Sequence, residues 1–285
     1  MAAVCESSTS YVAADGSELP LLLFEPAEGT PALAGVVLFH GGALRTGSVD
    51  TLAPHCRRLA SCGIFAVSAG YRLLGQGAGS IDDCVADVRR AVGKFAELAA
   101  LRGLGAPDLA SGGSSAGAHL ALVAAMTSPD GSVPTPEPGP APGPAPGPAP
   151  GIAGIAGIVA LNPAGLDLLA FSPEKQRAIE RRVGIAAGRM VDFSLIELVR
   201  PGNPPTLIHH GTDDEVEPIA HVRRFRDAMV QAGNECTLLE YEHAAHGFHY
   251  PSDSGHFDDV TEATTRFLLR RAPSGHCVGT AGGGD

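Results

Sequence analysis

The chain has 285 residues, 44% of them hydrophobic and 18% charged, and a formal net charge of −11. That length suffices for one large domain with a buried core or for two small ones, and the composition is too apolar for a disordered chain. The acidic balance counts against nucleic acid or an anionic membrane as the main partner, and lysine occurs only at Lys94 and Lys175.

In chain order, Met1 to Ser7 shows neither a basic start nor an apolar run, so no secretory signal is expected. Tyr11–Ala13 and Leu19–Phe24 flank Ala14-Asp15-Gly16-Ser17, where Asp-Gly supplies the positive φ of a tight hairpin turn. Val36–Phe39 is a short continuous apolar run, as expected of a strand buried on both faces. A helix is predicted over Thr51–Ala60, with Gly63 as a left-handed stop, and Ile64–Val67 is the next strand. Ser80–Leu101 is the clearest helix. Ser80 and Asp83 resemble a capping box, and Ile81, Cys84, Val85, Val88, Ala91, Val92, Phe95 and Ala99 form one apolar stripe. Leu109–Ser111 is a weak strand leading into a glycine-rich turn and a helix over Ala116–Met126. Strands follow at Ile155–Leu161, Thr206–His209 and Cys236–Tyr241, and helices at His221–Ala232 and Asp258–Arg270. Strand–helix alternation of this kind implies an α/β fold with a mostly parallel sheet.

Two segments interrupt the alternation. Pro134–Gly151 repeats Pro-Ala-Pro-Gly and is expected to be an extended surface loop, an SH3-type ligand being the weaker reading. Leu166–Val199 holds a helix start at Ser172-Pro173-Glu174 and a second predicted helix over Phe193–Val199. Its place in the chain makes it a candidate cap over an active site. The chain thus reads as one domain over 1–271, followed by a disordered tail over 272–285. No apolar run reaches the roughly 20 residues a membrane helix needs. The six cysteines lack C-x-x-C spacing and are read as reduced thiols, giving an expected cytoplasmic location.

The chemistry lies in four short stretches. Gly113-Ser114-Ser115-Ala116-Gly117 sits between a strand and a helix, a turn sharp enough to need small residues on either side and to lift the central hydroxyl clear of the sheet. Ser115 is the candidate nucleophile, ahead of Ser111 and Ser114. His40-Gly41-Gly42-Ala43 follows an apolar strand. There the Gly41–Ala43 backbone, with the N–H groups of Gly42, Ala43 and Ala116, is expected to cradle a developing oxyanion. His40 and His119 are read as structural, His119 packing behind the turn. For the acid, Asp213 and Asp214 compete in Gly211-Thr212-Asp213-Asp214, with Asp214 preferred. For the base, His243, His246 and His249 compete. His246 is preferred because it precedes Gly247-Phe248 and lies well past the last strand. Serine, acid and histidine in that chain order match the requirements of ester cleavage through an acyl-enzyme.

With these motifs the chain resembles α/β-hydrolases of the esterase/lipase group, which includes hormone-sensitive-lipase-like carboxylesterases and acetyl- or feruloyl-esterase-like enzymes. The resemblance covers Ser10 to Arg271 without the proline-rich loop. It implies an eight-stranded, mostly parallel sheet flanked by helices with a small helical cap, and places the family's H-G-G-x on His40–Ala43, its nucleophile on Ser115, its acid on Asp214 and its base on His246. Tyr71-Arg72-Leu73 and Asp87 match its structural Y-R-L and helix aspartate. The oxyanion motif continues here as Ala43-Leu44, which leaves the subfamily open. The expected activity is hydrolysis of a small carboxylic ester without metal or cofactor. An arylformamidase-like amidase or a catalytically silent ligand-binding homologue are the alternatives. A prolyl-oligopeptidase-type peptidase is disfavoured because no propeller domain fits in this length.

Overall fold

The computed structural model describes residues 3–128, 155–251 and 255–270. The proline-rich loop over 134–151 and the tail over 272–285 lie outside the described residues. Eight strands form one sheet: β1 (Val4–Val12), β2 (Glu18–Pro26), β3 (Ala34–Phe39), β4 (Ile64–Ala69), β5 (Leu109–Ser114), β6 (Gly157–Leu161), β7 (Thr206–Gly211) and β8 (Cys236–Tyr241). Their spatial order is β1-β2-β4-β3-β5-β6-β7-β8. Only β1 with β2 and β2 with β4 pair antiparallel; every other pair is parallel. The hairpin turn closes with Ala13 accepting from Gly16 N–H and Ser17 accepting from Ala13 N–H, and Gly16 takes φ +87°. Strand β1 begins at Val4, earlier than the apolar residues alone indicate, because its polar positions pair along β2 without needing burial.

The described residues form six α-helices: α1 (Ala53–Ala60), α2 (Ile81–Ala100), α3 (Ala116–Met126), α4 (Pro173–Val183), α5 (Ile219–Gln231) and α6 (Phe257–Leu269). The buried stripe of α2 packs with α3 and α5 on one face, and α1 packs with α6 on the other. Strand β3 serves both cores. Val37 and Phe39 belong to one, Val36 and Leu38 to the other, which is why the strand reads as uninterrupted hydrophobicity. Asp83 caps α2 by accepting from Gly79 N–H at 2.8 Å and Ser80 N–H at 3.1 Å. None of the described helices is long and apolar enough to cross a membrane.

Within 166–199, α4 starts as expected, with Ser172 Oγ accepting from Lys175 N–H and Pro173 in the first turn. The predicted helix over Phe193–Val199 does not form. Two 3-10 turns, Met190–Phe193 and Leu195–Leu198, stand there instead. The reason is competition for donors: Leu195 and Ile196 N–H groups bond to Gly165 and Leu166 carbonyls, so the backbone is tied to a neighbouring loop and not to its own preceding turn.

Candidate active site

Strand β5 runs into Ser115, whose backbone sits at φ 51°, ψ −116° before α3 begins. Positive φ at a residue with a Cβ is strained by about 1–3 kcal/mol and persists only where neighbours enforce it. Two features enforce it here. Ser115 N–H donates to Leu161 O at 2.9 Å. The turn also presses against the end of β3: a Cβ on Gly113 would stand 2.2 Å from Phe39 O, and one on Gly117 would stand 2.1 Å from the same oxygen.

That contact brings the loop after β3 beside the hydroxyl. A Cβ built on Gly41 would lie 3.2 Å from Ser115 Cβ. Gly42 takes φ +110°, Ala43 +52° and Leu44 +63°. Among the described residues, the N–H groups of Gly42, Ala43 and Ala116 meet no protein acceptor. Tyr71 Oη donates to His40 O at 2.9 Å and stacks on the His40 ring, while His40 Nδ1 bonds to Gly41 O at 2.7 Å. His40 therefore shapes the loop.

The preferred acid and base meet the hydroxyl in one line. Ser115 Oγ and His246 Nε2 are 2.9 Å apart, and His246 Nδ1–H donates to Asp214 Oδ2 at 2.7 Å. With Nδ1 protonated toward the carboxylate, Nε2 is free to take the serine proton. Asp214 Oδ1 accepts from the N–H groups of Val216 and Glu217 at 2.8 and 3.0 Å. Burial pushes the Asp214 carboxyl up, but the His246 and Glu217 hydrogen bonds and the nearby His246 and His210 rings outweigh it and hold the group below its ordinary range. It is thereby kept anionic to orient His246.

The competing residues go elsewhere. Asp213 and His243 point outward and lie 3.5 Å apart at the surface. His249 is buried, with Nε2 3.0 Å from Ser114 Oγ and Nδ1 3.0 Å from His55 Nε2. Ser111 is fully buried. His119 departs from its expected place behind the turn: it lines the cavity next to Ser115, because one helical turn along α3 leads toward the open side. Asn162 is the neighbour the sequence reading missed. Its side-chain amide lies 3.2 Å from His246 Nε2 and 3.5 Å from Nδ1, while Asp214 and Ser115 lie closer to the two nitrogens, at 2.7 and 2.9 Å. It sits at the end of β6 with φ 35°, and Asn is one of the few residues that tolerates that region. An Asn directly after a parallel strand was the available signal.

A cavity of about 350 Å³ opens beside Ser115. Ala43 and Ala116 line it, with Leu44, Ile81, Leu168 and Ile185. Helix α4 closes one side through Phe171 just before it and Lys175, Ile179, Arg182 and Val183 along it, one face of a 3.6-residue repeat. The arrangement can hold an acyl or alkoxy group against the hydroxyl.

A family model described as the alpha/beta hydrolase fold matches residues 36–250. The chain belongs to that family. Among solved structures, this alpha/beta hydrolase is similar to esterase 2 of Thermogutta terrifontis in its propionate-bound form, at 28% identity and TM-score 0.74, covering 93% of this chain and 94% of that one. The form of the same esterase phosphoramylated by tabun gives 28% identity and TM-score 0.75 over the same shares. An ethyl acetate hydrolase of Pseudomonas putida is 36% identical over 126 residues, which are 42% of this chain and 38% of that protein. The match therefore spans well under half of that relative's length.

Proposed function

We propose that this protein is a carboxylic ester hydrolase acting through an acyl-enzyme. In this reading Ser115 Oγ attacks the ester carbonyl as His246 Nε2 takes its proton. The carbonyl oxygen becomes an oxyanion held by the N–H groups of Gly42 and Ala43 in the Gly41–Ala43 loop and by that of Ala116. Asp214 keeps His246 in the correct tautomer and stabilises the imidazolium. The C–O bond to the alcohol breaks as His246 returns the proton to the leaving oxygen. Water, deprotonated by the same imidazole, then attacks the acyl group and frees Ser115.

The observation that carries the reading is the unbroken Ser115–His246–Asp214 hydrogen-bond line at the mouth of an apolar cavity. A silent ligand-binding homologue would have no need to keep it. The similarity to a solved esterase over nearly the whole chain supports an ester over an amide. The five described cysteines are all unpaired thiols, which supports a cytoplasmic setting.

Turnover of a short-chain nitrophenyl ester and labelling by a fluorophosphonate probe test the proposal together. Ser115→Ala is expected to lower kcat by about 10⁴-fold or more and to abolish labelling. Activity close to that of the parent would remove Ser115 from the mechanism.

A further inference from the structure

Apart from the exposed Lys175, Arg182 and Glu215 and the reacting Ser115, the polar side chains lining the cavity are two buried ones, His119 and Glu217. Both rest on Gly165. A Cβ there would fall 2.0 Å from His119 Nδ1 and 2.3 Å from its Cε1, and Gly165 N–H donates to Glu217 Oε2 at 2.6 Å. Gly165 has φ +73°, so a side chain at that position would be excluded by its backbone as well as by space.

The protonation of this wall follows from its contacts. His119 Nδ1–H donates to Ala164 O at 3.0 Å, which leaves Nε2 with a lone pair and no proton. Burial brings the ring down to about 4, so it stays neutral at ordinary pH. Nε2 has no hydrogen-bond partner among the described residues, although the side chain is more than nine-tenths buried. Glu217 is almost fully buried, and its Oε1 accepts from His221 Nδ1–H at 3.0 Å. The N–H groups of this wall are thus engaged, while acceptor capacity is left over. Buried polar atoms are normally satisfied, and an orphan at a cavity wall points to a partner that arrives with the ligand.

Resting on the esterase reading above, we propose that this wall recognises a hydroxyl group carried by the substrate, whose O–H donates to His119 Nε2. His119 stands one helical turn beyond Ser115, so the hydroxyl belongs a few bonds from the scissile carbonyl. A hydroxyl fits better than an ammonium, because it enters the apolar cavity without a charge to desolvate. The preferred substrates are then esters of hydroxy acids or hydroxyl-bearing alcohols.

The test compares kcat/KM within isosteric pairs: ethyl β-hydroxybutyrate against ethyl isovalerate for a hydroxyl on the acid, and hydroxyethyl butyrate against propyl butyrate for one on the alcohol. One pair is expected to favour the hydroxyl by about tenfold or more, the worth of one well-made hydrogen bond in a buried site. His119→Asn keeps a donor for Ala164 O but has no atom where Nε2 stood, so that ratio should fall toward one. Ratios below about twofold in both wild-type pairs would overturn the inference, since His119 Nε2 would then contribute nothing to the choice between the two substrates. A ratio unchanged in His119→Asn, or faster cleavage of ethyl β-aminobutyrate than of its hydroxyl counterpart, would also overturn it. Failure to cleave any of these esters, together with no probe labelling of Ser115, would instead remove the esterase reading itself.

Discussion

At the scale of single residues, the site depends on where side chains are missing. The elbow and the loop after β3 can touch only because Gly113 and Gly117 present bare backbone to Phe39 O and Gly41 presents its own to Ser114 and Ser115. Gly117→Ala is the sharpest probe of this. Its Cβ would stand 2.1 Å from Phe39 O and 2.4 Å from His40 O, and both are backbone atoms with no rotamer to yield. Strand and elbow must separate, at a cost of about 1–3 kcal/mol, and the N–H groups of Gly42 and Ala43 should move away from Ser115. A lowered melting temperature and a slowed rate of fluorophosphonate labelling are expected. A variant matching the parent in both would show that the end of β3 is free to move. The glycines were legible in sequence because their spacing around Ser115 is itself the constraint. His119 was not, because its side-chain direction depends on how α3 is rotated against the sheet, and an all-apolar helix carries no periodicity to reveal that.

At the scale of elements, the scaffold of the site is held by buried polar ties. Arg72, just past β4, forms a two-pronged pair with Asp87 of α2, Nε to Oδ2 and Nη2 to Oδ1 both at 2.8 Å, and its own N–H donates to the same carboxylate at 3.0 Å. Asp87 is fully buried and Arg72 nearly so. Arg72 also meets the half-exposed Asp15 at 3.0 Å, which compensates its charge only in part, so Asp87→Ala is expected to destabilise the fold by about 3 kcal/mol. Replacing both with apolar residues should recover part of that loss. Urea midpoints of the single and double variants check the pair, and a single variant within about 1 kcal/mol of the parent would show that solvent reaches Arg72. A second tie joins the loops that carry the hydroxyl and the imidazole: Ser114, one residue before Ser115, bonds to His249, three residues after His246. Ser114 and His249 stand 135 residues apart, and although Arg72 and Asp87 each match a family motif, nothing in the sequence pairs them. The α-helices were legible through caps and apolar stripes. The 3-10 turns of 190–198 were not, because their donors are claimed by Gly165 and Leu166.

At the scale of the whole molecule, alternating strands and helices announced a parallel sheet, whereas the placement of β4 between β2 and β3 and the two separate cores emerge only from how the helices divide between the faces. The same packing buries an unusual set of bases. Burial holds His55 and His119 down to about 4 and His209 to about 3, and burial with the neighbouring His55 and His209 rings holds His249 well below its ordinary value. His249 Nδ1 and His55 Nε2 share one hydrogen bond, and His209 bonds to Tyr241 Oη and Thr264 Oγ1, so none has a carboxylate to stabilise a proton. In the unfolded chain each binds a proton near pH 6.5, and in the folded chain only at much lower pH. The unfolded state therefore takes up more protons as the solution is acidified, and stability that is complete above about pH 6.5 drains away toward pH 4. Each such histidine contributes up to about 1.4 kcal/mol per pH unit in that window, so His55, His119 and His209 together give a slope of up to about 4 kcal/mol per unit, to which His249 adds. Carboxylates such as Asp214, held below their ordinary range, add their own loss only at lower pH. The urea midpoint should accordingly be level between pH 7 and 8 and fall steeply between about pH 6 and 4.5. A midpoint that stays level down to pH 5 would mean that water or a counter-charge reaches these rings in solution.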